Sequence, residues 1–126
     1  MLPTLALLLA LLLAEPKVAV TSTGPKPESE VETRFGRARW YLVYDPGSRS
    51  WEAVDHSQAA QTPGGAGPQA VQMLARRGVK VVITGECGPN ALRALSSAGI
   101  KVFQGGGRTV AKALGDYQAG KSAELR

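Results

Sequence analysis

The stretch VKVVITGECGPNALRALSSAGIKVF, Val79–Phe103, decides the fold. Its opening, Val79–Thr84, is almost continuously apolar and rich in β-branched side chains, as in a strand buried on both faces. Pro89 or Asn90 then opens a helix, because proline's fixed φ and missing N–H suit a first helical turn. Leu92, Leu95 and Ala98 supply an apolar stripe at helical spacing, and Gly99 stops the helix. Ile100–Phe103 is a second apolar strand. A strand–helix–strand unit of this kind closes as a right-handed crossover onto a parallel sheet.

Outward from this unit, a helix starting near Gly67–Gln69 runs to Arg77, with Val71, Leu74 and Ala75 on one face and Gly78 beyond its end. Downstream, Thr109 caps a third helix whose inner face carries Val110, Ala113, Leu114 and Tyr117. Lys121–Arg126 is a polar, loose tail. Upstream, Lys17–Gly24 reads as a short buried strand, and Pro25–Ala38 as a loop rich in Pro, Glu and Gly. The aromatic and β-branched run Arg39–Asp45 pairs with Trp51–His56 as a hairpin across the five-residue turn Pro46–Ser50. The expected fold is α/β: a mixed sheet of five strands flanked by three helices.

The bulk composition narrows the function. The chain has 126 residues, 44% hydrophobic and 20% charged, which suits one packed domain. Lys+Arg number 15 against 10 Asp+Glu, but the positive charges are scattered apart from Arg76-Arg77. That distribution lacks the basic stripe of a nucleic-acid binder and fits a small anionic ligand. A single cysteine, Cys87, excludes an intramolecular disulfide and any four-cysteine zinc or iron–sulfur site within one chain.

Residues 1–16 stand apart from the domain at 17–120 and the tail at 121–126. MLPTLALLLALLLAEP holds eight leucines in its first fourteen residues. The run Leu5–Ala14 is too short to span a bilayer and has the length of a secretory signal's apolar part. No Lys or Arg precedes it, and Leu12 is a poor residue two places before a cleavage at Ala14. Two readings stand: a secretion or anchoring signal, or a non-native extension. Membrane contact and export follow only from the first.

Ligands of open α/β sheets bind beyond the carboxyl ends of the parallel strands. Thr21 and the small polar residues after it, Gly85–Asn90, Gln104–Arg108 and the loop Gly64–Gly67 all fall at that edge. Glycines there let backbone N–H groups approach a ligand, and helix N-termini favour anions. None of these loops has the Gly-Lys-Ser/Thr ending of a phosphate loop, and no dinucleotide fingerprint follows the first strand. His56 is the only histidine and ends a hairpin strand, so a Cys87–His56 pair exists only if the fold brings the two together. Glu28, Glu30 and Glu32 share one loop, and Lys17–Val20 carries no carboxylate, which argues against a two-metal nuclease. Cys87 lies just ahead of a helix N-terminus, which lowers a thiol's pKa, while neighbouring Glu86 acts oppositely. A small core residue is the plainer reading of that thiol.

Taken in order, KVAVTS, FGRARWYLVYD, GGAGPQAVQMLARRGVKVVITGECGPNALRALSSAGIKVF and GGGRTVAKALGDYQAGK resemble the dinitrogenase iron–molybdenum cofactor biosynthesis family, which includes the molybdenum–copper orange protein. The likeness covers about Lys17–Lys121. It implies a ribonuclease H-like topology, a cytoplasmic location, and binding or carriage of a metal–sulfur cluster without turnover. Implied cluster-binding positions are Phe35, Gly36, Arg37 and Ala38, then Gly64, Gly65 and Gly67, then Cys87, Gly88, Pro89 and Asn90, and finally Gly105, Gly106 and Gly107. On chemical grounds Arg37 or Arg108 would offset an anionic cluster's charge, Cys87 would give one thiolate to a soft metal, and His56 is a metal ligand only if the fold brings it to the pocket. The implied cargo is an iron–molybdenum–sulfur or molybdenum–copper–sulfur cluster, and the implied partners are its donor and acceptor proteins. Two other classes stay open: a small-anion enzyme with Cys87 as nucleophile, and a regulatory module with a vestigial pocket.

Overall fold

The computed structural model describes residues 15–57 and 66–126. In chain order the elements are β1 (Lys17–Ser22), β2 (Trp40–Asp45), β3 (Ser50–Asp55), α1 (Ala66–Arg76), β4 (Val79–Thr84), α2 (Pro89–Ser97), β5 (Lys101–Gln104), α3 (Val110–Gln118) and β6 (Glu124–Leu125). The sheet order is β3-β2-β1-β4-β5-β6. β1, β4 and β5 are parallel, and the hairpin and β6 join antiparallel. The fold is thus the expected mixed α/β sandwich. No helix of the described residues is long and apolar enough to cross a membrane.

Two details differ from expectation. The tail forms β6, a sixth strand, with Val102 opposite Leu125 and Phe103 opposite Glu124. Its pairing comes from backbone contact at a sheet edge, which polar composition does not reveal. The hairpin closes over Pro46–Arg49, and Ser50 pairs with Asp45. Arg49 takes φ 54 there, and Asp45 Oδ1 accepts the Gly47 N–H at 2.9 Å.

Alternating side chains send the strands' apolar residues to opposite faces. On one face Ala19, Tyr41, Val43, Val82 and Val102 pack with Ala70, Val71 and Leu74 of α1 and Leu95 of α2. On the other, Val18, Val20, Leu42, Val81 and Ile83 pack with Val110, Ala113 and Leu114 of α3. A bulge reconciles Val79 with this scheme. Lys17 pairs with Val79 but Val18 with Val81, so Lys80 is an extra, exposed residue. Val79 and Val82 therefore share a face. Leu95 is fully buried, so truncation to Ala removes about 2–5 kcal/mol.

All three helices begin at the edge where β1, β4 and β5 end. Gly78 and Gly99 close α1 and α2 in left-handed conformations, φ 79 and 76.

Candidate functional site

The carboxyl edge of the sheet is roofed by a strap, residues 27–35, which the sequence presents only as a charged loop. Its backbone bonds to every parallel strand or the loop after it. The Glu32 N–H donates to Thr21 O at 2.9 Å, and the Val31 N–H to Arg108 O at 2.9 Å. Phe35 donates to Glu86 O at 2.9 Å, and Glu86 returns a bond to Thr33 O at 2.5 Å. Beneath the strap, Thr21 and Thr84 are fully buried with hydroxyl oxygens 2.8 Å apart. Thr21 Oγ1 also lies 2.9 Å from Glu32 O. A hydroxyl has one hydrogen and a carbonyl can only accept, so Thr84 donates to Thr21 and Thr21 to Glu32.

The strap also determines which helix start is open. At α3 the Val110 N–H donates to Ser29 O at 2.8 Å and the Ala111 N–H to Pro27 O at 2.9 Å. Thr109, as expected, caps the Lys112 N–H through Oγ1 at 3.2 Å, and its carbonyl takes the Ala113 N–H at 2.9 Å. Every first-turn N–H of α3 is satisfied. At α2 the N-cap is Gly88, with no side-chain cap, and Pro89 stands in the first turn. The first bonded N–H is that of Leu92, to Gly88 O at 2.9 Å. The N–H groups of Cys87, Gly88, Asn90 and Ala91 have no acceptor among the described residues.

The glycines divide in the same way. A Cβ at Gly85 would lie 2.6 Å from Thr33 O, and one at Gly105 would collide with Ile83 Cγ2. Gly106 donates to Gln104 Oε1 at 2.6 Å, and Gln104 Nε2 donates to Gly85 O at 2.6 Å. These residues let the chain pack on itself. Gly88 and Gly67, by contrast, face open space on the α1–α2 side. Gly64 and Gly65 lie outside the described residues.

The Phe-Gly-Arg-Ala segment sits on the open side, beside Cys87. Phe35 and Ala38 are buried in the core, at 8% and 0% exposure. Gly36 holds φ 88 in a turn closed by the Arg37 N–H to Arg34 O at 3.3 Å, and its own N–H donates to Tyr41 Oη at 3.1 Å. Three of the four residues therefore build the fold. Arg37 is exposed and has no ion-pair partner among the described residues. Arg108, the other cation singled out from sequence, is bound to Asp116 at 3.1 Å. With Lys112 at 3.0 Å, it helps hold that carboxyl below the usual carboxylate range, the Lys112 hydrogen bond acting most strongly. Asn90 Oδ1 accepts from Arg93, so the groups Asn90 can still offer an anion are its backbone N–H and its side-chain amide N–H.

Tyr41, buried in β2, centres this side. Its ring meets Phe35 edge-on at 5.8 Å and His56 at 5.4 Å. Burial raises the Tyr41 phenol's pKa, and the charge of Cys87 adds to the rise. Cys87 is half-buried against the α1–α2 core, and desolvation pushes its thiol up to about 11. Burial thus favours the protonated thiol near pH 7. His56 meets the Tyr41 ring edge-on from the end of β3, while Cys87 packs against the same core from the turn after β4. Among the described residues, no three His, Cys, Asp or Glu side chains come together.

The structure therefore leaves Arg37, Gly88, Pro89 and Asn90 exposed and His56, Gly67 and Cys87 half-buried, outside the strap's hydrogen bonds to the parallel strands and their loops. It places Thr21, Gly105, Gly106 and Arg108 under the strap or on the α3 side, hydrogen-bonded or packed internally. The sequence reading missed the strap and Tyr41. A buried aromatic beside Phe-Gly-Arg-Ala was the available signal for Tyr41.

Comparison with known proteins agrees with this architecture. The apo form of the orange protein from Desulfovibrio gigas is 38% identical, with a TM-score of 0.83 over 89% of this chain and 95% of that one. A NifB-like protein from Thermotoga, solved by NMR, is 36% identical, with a TM-score of 0.78 over 88% and 94%. A dinitrogenase-related protein from Methanocaldococcus jannaschii shares the fold, with a TM-score of 0.67 at 13% identity over 90% and 97%. No curated protein sequence matches. The family model described as dinitrogenase iron–molybdenum cofactor matches residues 16–120. With nearly the whole described domain inside that match, the chain belongs to the dinitrogenase iron–molybdenum cofactor family.

Proposed function

We propose that this protein holds an anionic metal–sulfur cluster, of iron–molybdenum–sulfur or molybdenum–copper–sulfur type, as cargo between donor and acceptor proteins and does not turn it over. The observation that carries this reading is the row of backbone N–H groups at Cys87, Gly88, Asn90 and Ala91 with no acceptor among the described residues. N–H groups at a helix start stabilise negative charge. Exposed Arg37 adds a full positive charge on the same side.

The residues fit such a cargo on chemical grounds. Cluster sulfides accept N–H bonds, and soft metals favour thiolate. Cys87 can supply one thiolate once a metal displaces its proton, and His56 one imidazole. A site with so few side-chain ligands holds the cargo mainly through backbone dipoles and permits release. A nucleophilic role for Cys87 is disfavoured by the same thiol, which stays protonated near neutrality.

The test is anaerobic reconstitution with tetrathiomolybdate and copper or iron salts, followed by visible absorption and metal analysis. A coloured, stoichiometric adduct is expected. Its absence would sink the proposal. Rapid, selective alkylation of Cys87 at pH 6–7 would instead point to the enzyme reading.

A further inference from the structure

We propose that the outer edge of β3 is a self-complementary docking strand, through which two copies of this chain pair antiparallel into one continuous sheet. β3 ends the strand order, and among the described residues nothing pairs with its outer side. Six residues, Ser50–Asp55, run there without bulge or proline. Long regular edges of this kind are usually guarded by unpaired charge. Here both carboxylates are already neutralised from within. Asp55 lies 3.6 Å from Arg39, and Glu52 lies 2.5 Å from Arg77 at the end of α1.

The register follows from hydrogen-bond parity. The His56 N–H donates to Arg39 O at 2.6 Å. Antiparallel pairs alternate, so Val54, Glu52 and Ser50 turn their N–H and C=O groups toward β2. Trp51, Ala53 and Asp55 turn theirs outward. A two-fold axis normal to the sheet keeps side chains on matching faces, so paired positions must have the same parity. Centring it on Ala53 satisfies both conditions. Ala53 then exchanges two hydrogen bonds with Ala53 of the second copy, Trp51 faces Asp55, and Glu52 faces Val54. No like charges oppose each other, and the smallest side chain lies on the axis.

The face so extended is aromatic. Trp40 opposes Asp55, and Tyr44 opposes Trp51, with Tyr44 and Trp51 rings 5.0 Å apart. Both tryptophans of the chain and Tyr44 are half-buried on this side of the hairpin. In the dimer, Trp51 of one copy comes beside Trp40 of the other across Asp55. The axis also turns the two carboxyl edges in opposite directions, so the two cluster sites stay independent.

Sedimentation equilibrium of the full chain, from low micromolar to millimolar, tests this inference. Tryptophan emission is followed in parallel. A monomer–dimer equilibrium with a blue shift on association is expected. Ala53→Glu places two carboxylates across the axis and should raise the dimer dissociation constant at least about tenfold. Ala53→Pro removes an outward N–H and should abolish association. Far-UV circular dichroism checks that both variants fold. A chain that stays monomeric at millimolar concentration overturns the proposal, as does a dimer that both variants leave unchanged. Cluster loading should be the same in both variants, so failure of the carrier reading shows up separately.

Discussion

Two helices start at the same edge of one sheet, and their first turns differ completely. α3 begins with every N–H bonded, to Ser29, Pro27 and Thr109. α2 begins at Gly88 with no cap, and Asn90 and Ala91 have no acceptor among the described residues. Both are preceded by glycine-rich loops, and from sequence both look equally able to receive an anion. What separates them is the strap, which lies over α3 and leaves α2 open. A glycine-rich turn ahead of a helix is therefore not itself a binding loop. Its N–H groups first have to be free of the protein's own carbonyls.

This asymmetry can be broken most severely at the strap's contacts. Gly85→Ala brings a methyl against the Thr33 backbone, and Gly105→Ala drives one into Ile83. Each should cost about 1–3 kcal/mol or more in urea unfolding, as overpacking does. Thr109→Ala removes the α3 cap and should cost about 1 kcal/mol. Gly88→Asp supplies α2 with the cap it lacks. It should stabilise the fold by a few tenths of a kcal/mol, roughly, while cutting cluster loading through like charge. A variant that is more stable and loads normally would show that the bare turn is not the cargo site. Arg37→Gln should reduce loading, whereas Arg108→Gln removes an ion pair worth at most about 1 kcal/mol and should leave loading intact.

The smallest expected effect depends on pH. The folded Cys87 pKa is raised from 9.0 to about 11. A raised folded pKa favours the proton-bound native state, so this contribution is fully present below pH 9. It is lost as pH rises toward 11. The fall in stability between those values should be shallower in Cys87→Ser, measured by urea unfolding at each pH.

Much of the fold was legible because it rests on local signals. Val79–Thr84, the stripe Leu92–Leu95–Ala98 and the stops at Gly78 and Gly99 each carry their own periodicity or punctuation. The strap carries none. Its Glu28, Glu30 and Glu32 read as a solvated charged loop, and its pairing depends on carbonyls brought from distant loops. The site was legible only as an edge. Sequence can count glycines, but the space around Gly85 and Gly105 is set by Thr33 and Ile83, which arrive through the tertiary fold. The same holds for Arg108, whose partner Asp116 comes from a later helical turn.

The hydroxyl relay from Thr84 through Thr21 to Glu32 has a kinetic consequence. It ties the strap to the two central strands below it, so the strap cannot lift without parting buried bonds. Amide protons of Val31, Glu32 and Phe35 should therefore exchange with deuterium about as slowly as those of β1 and β4. The strap thus belongs to the most persistent part of the molecule, and the open part of the edge is the one beside α2.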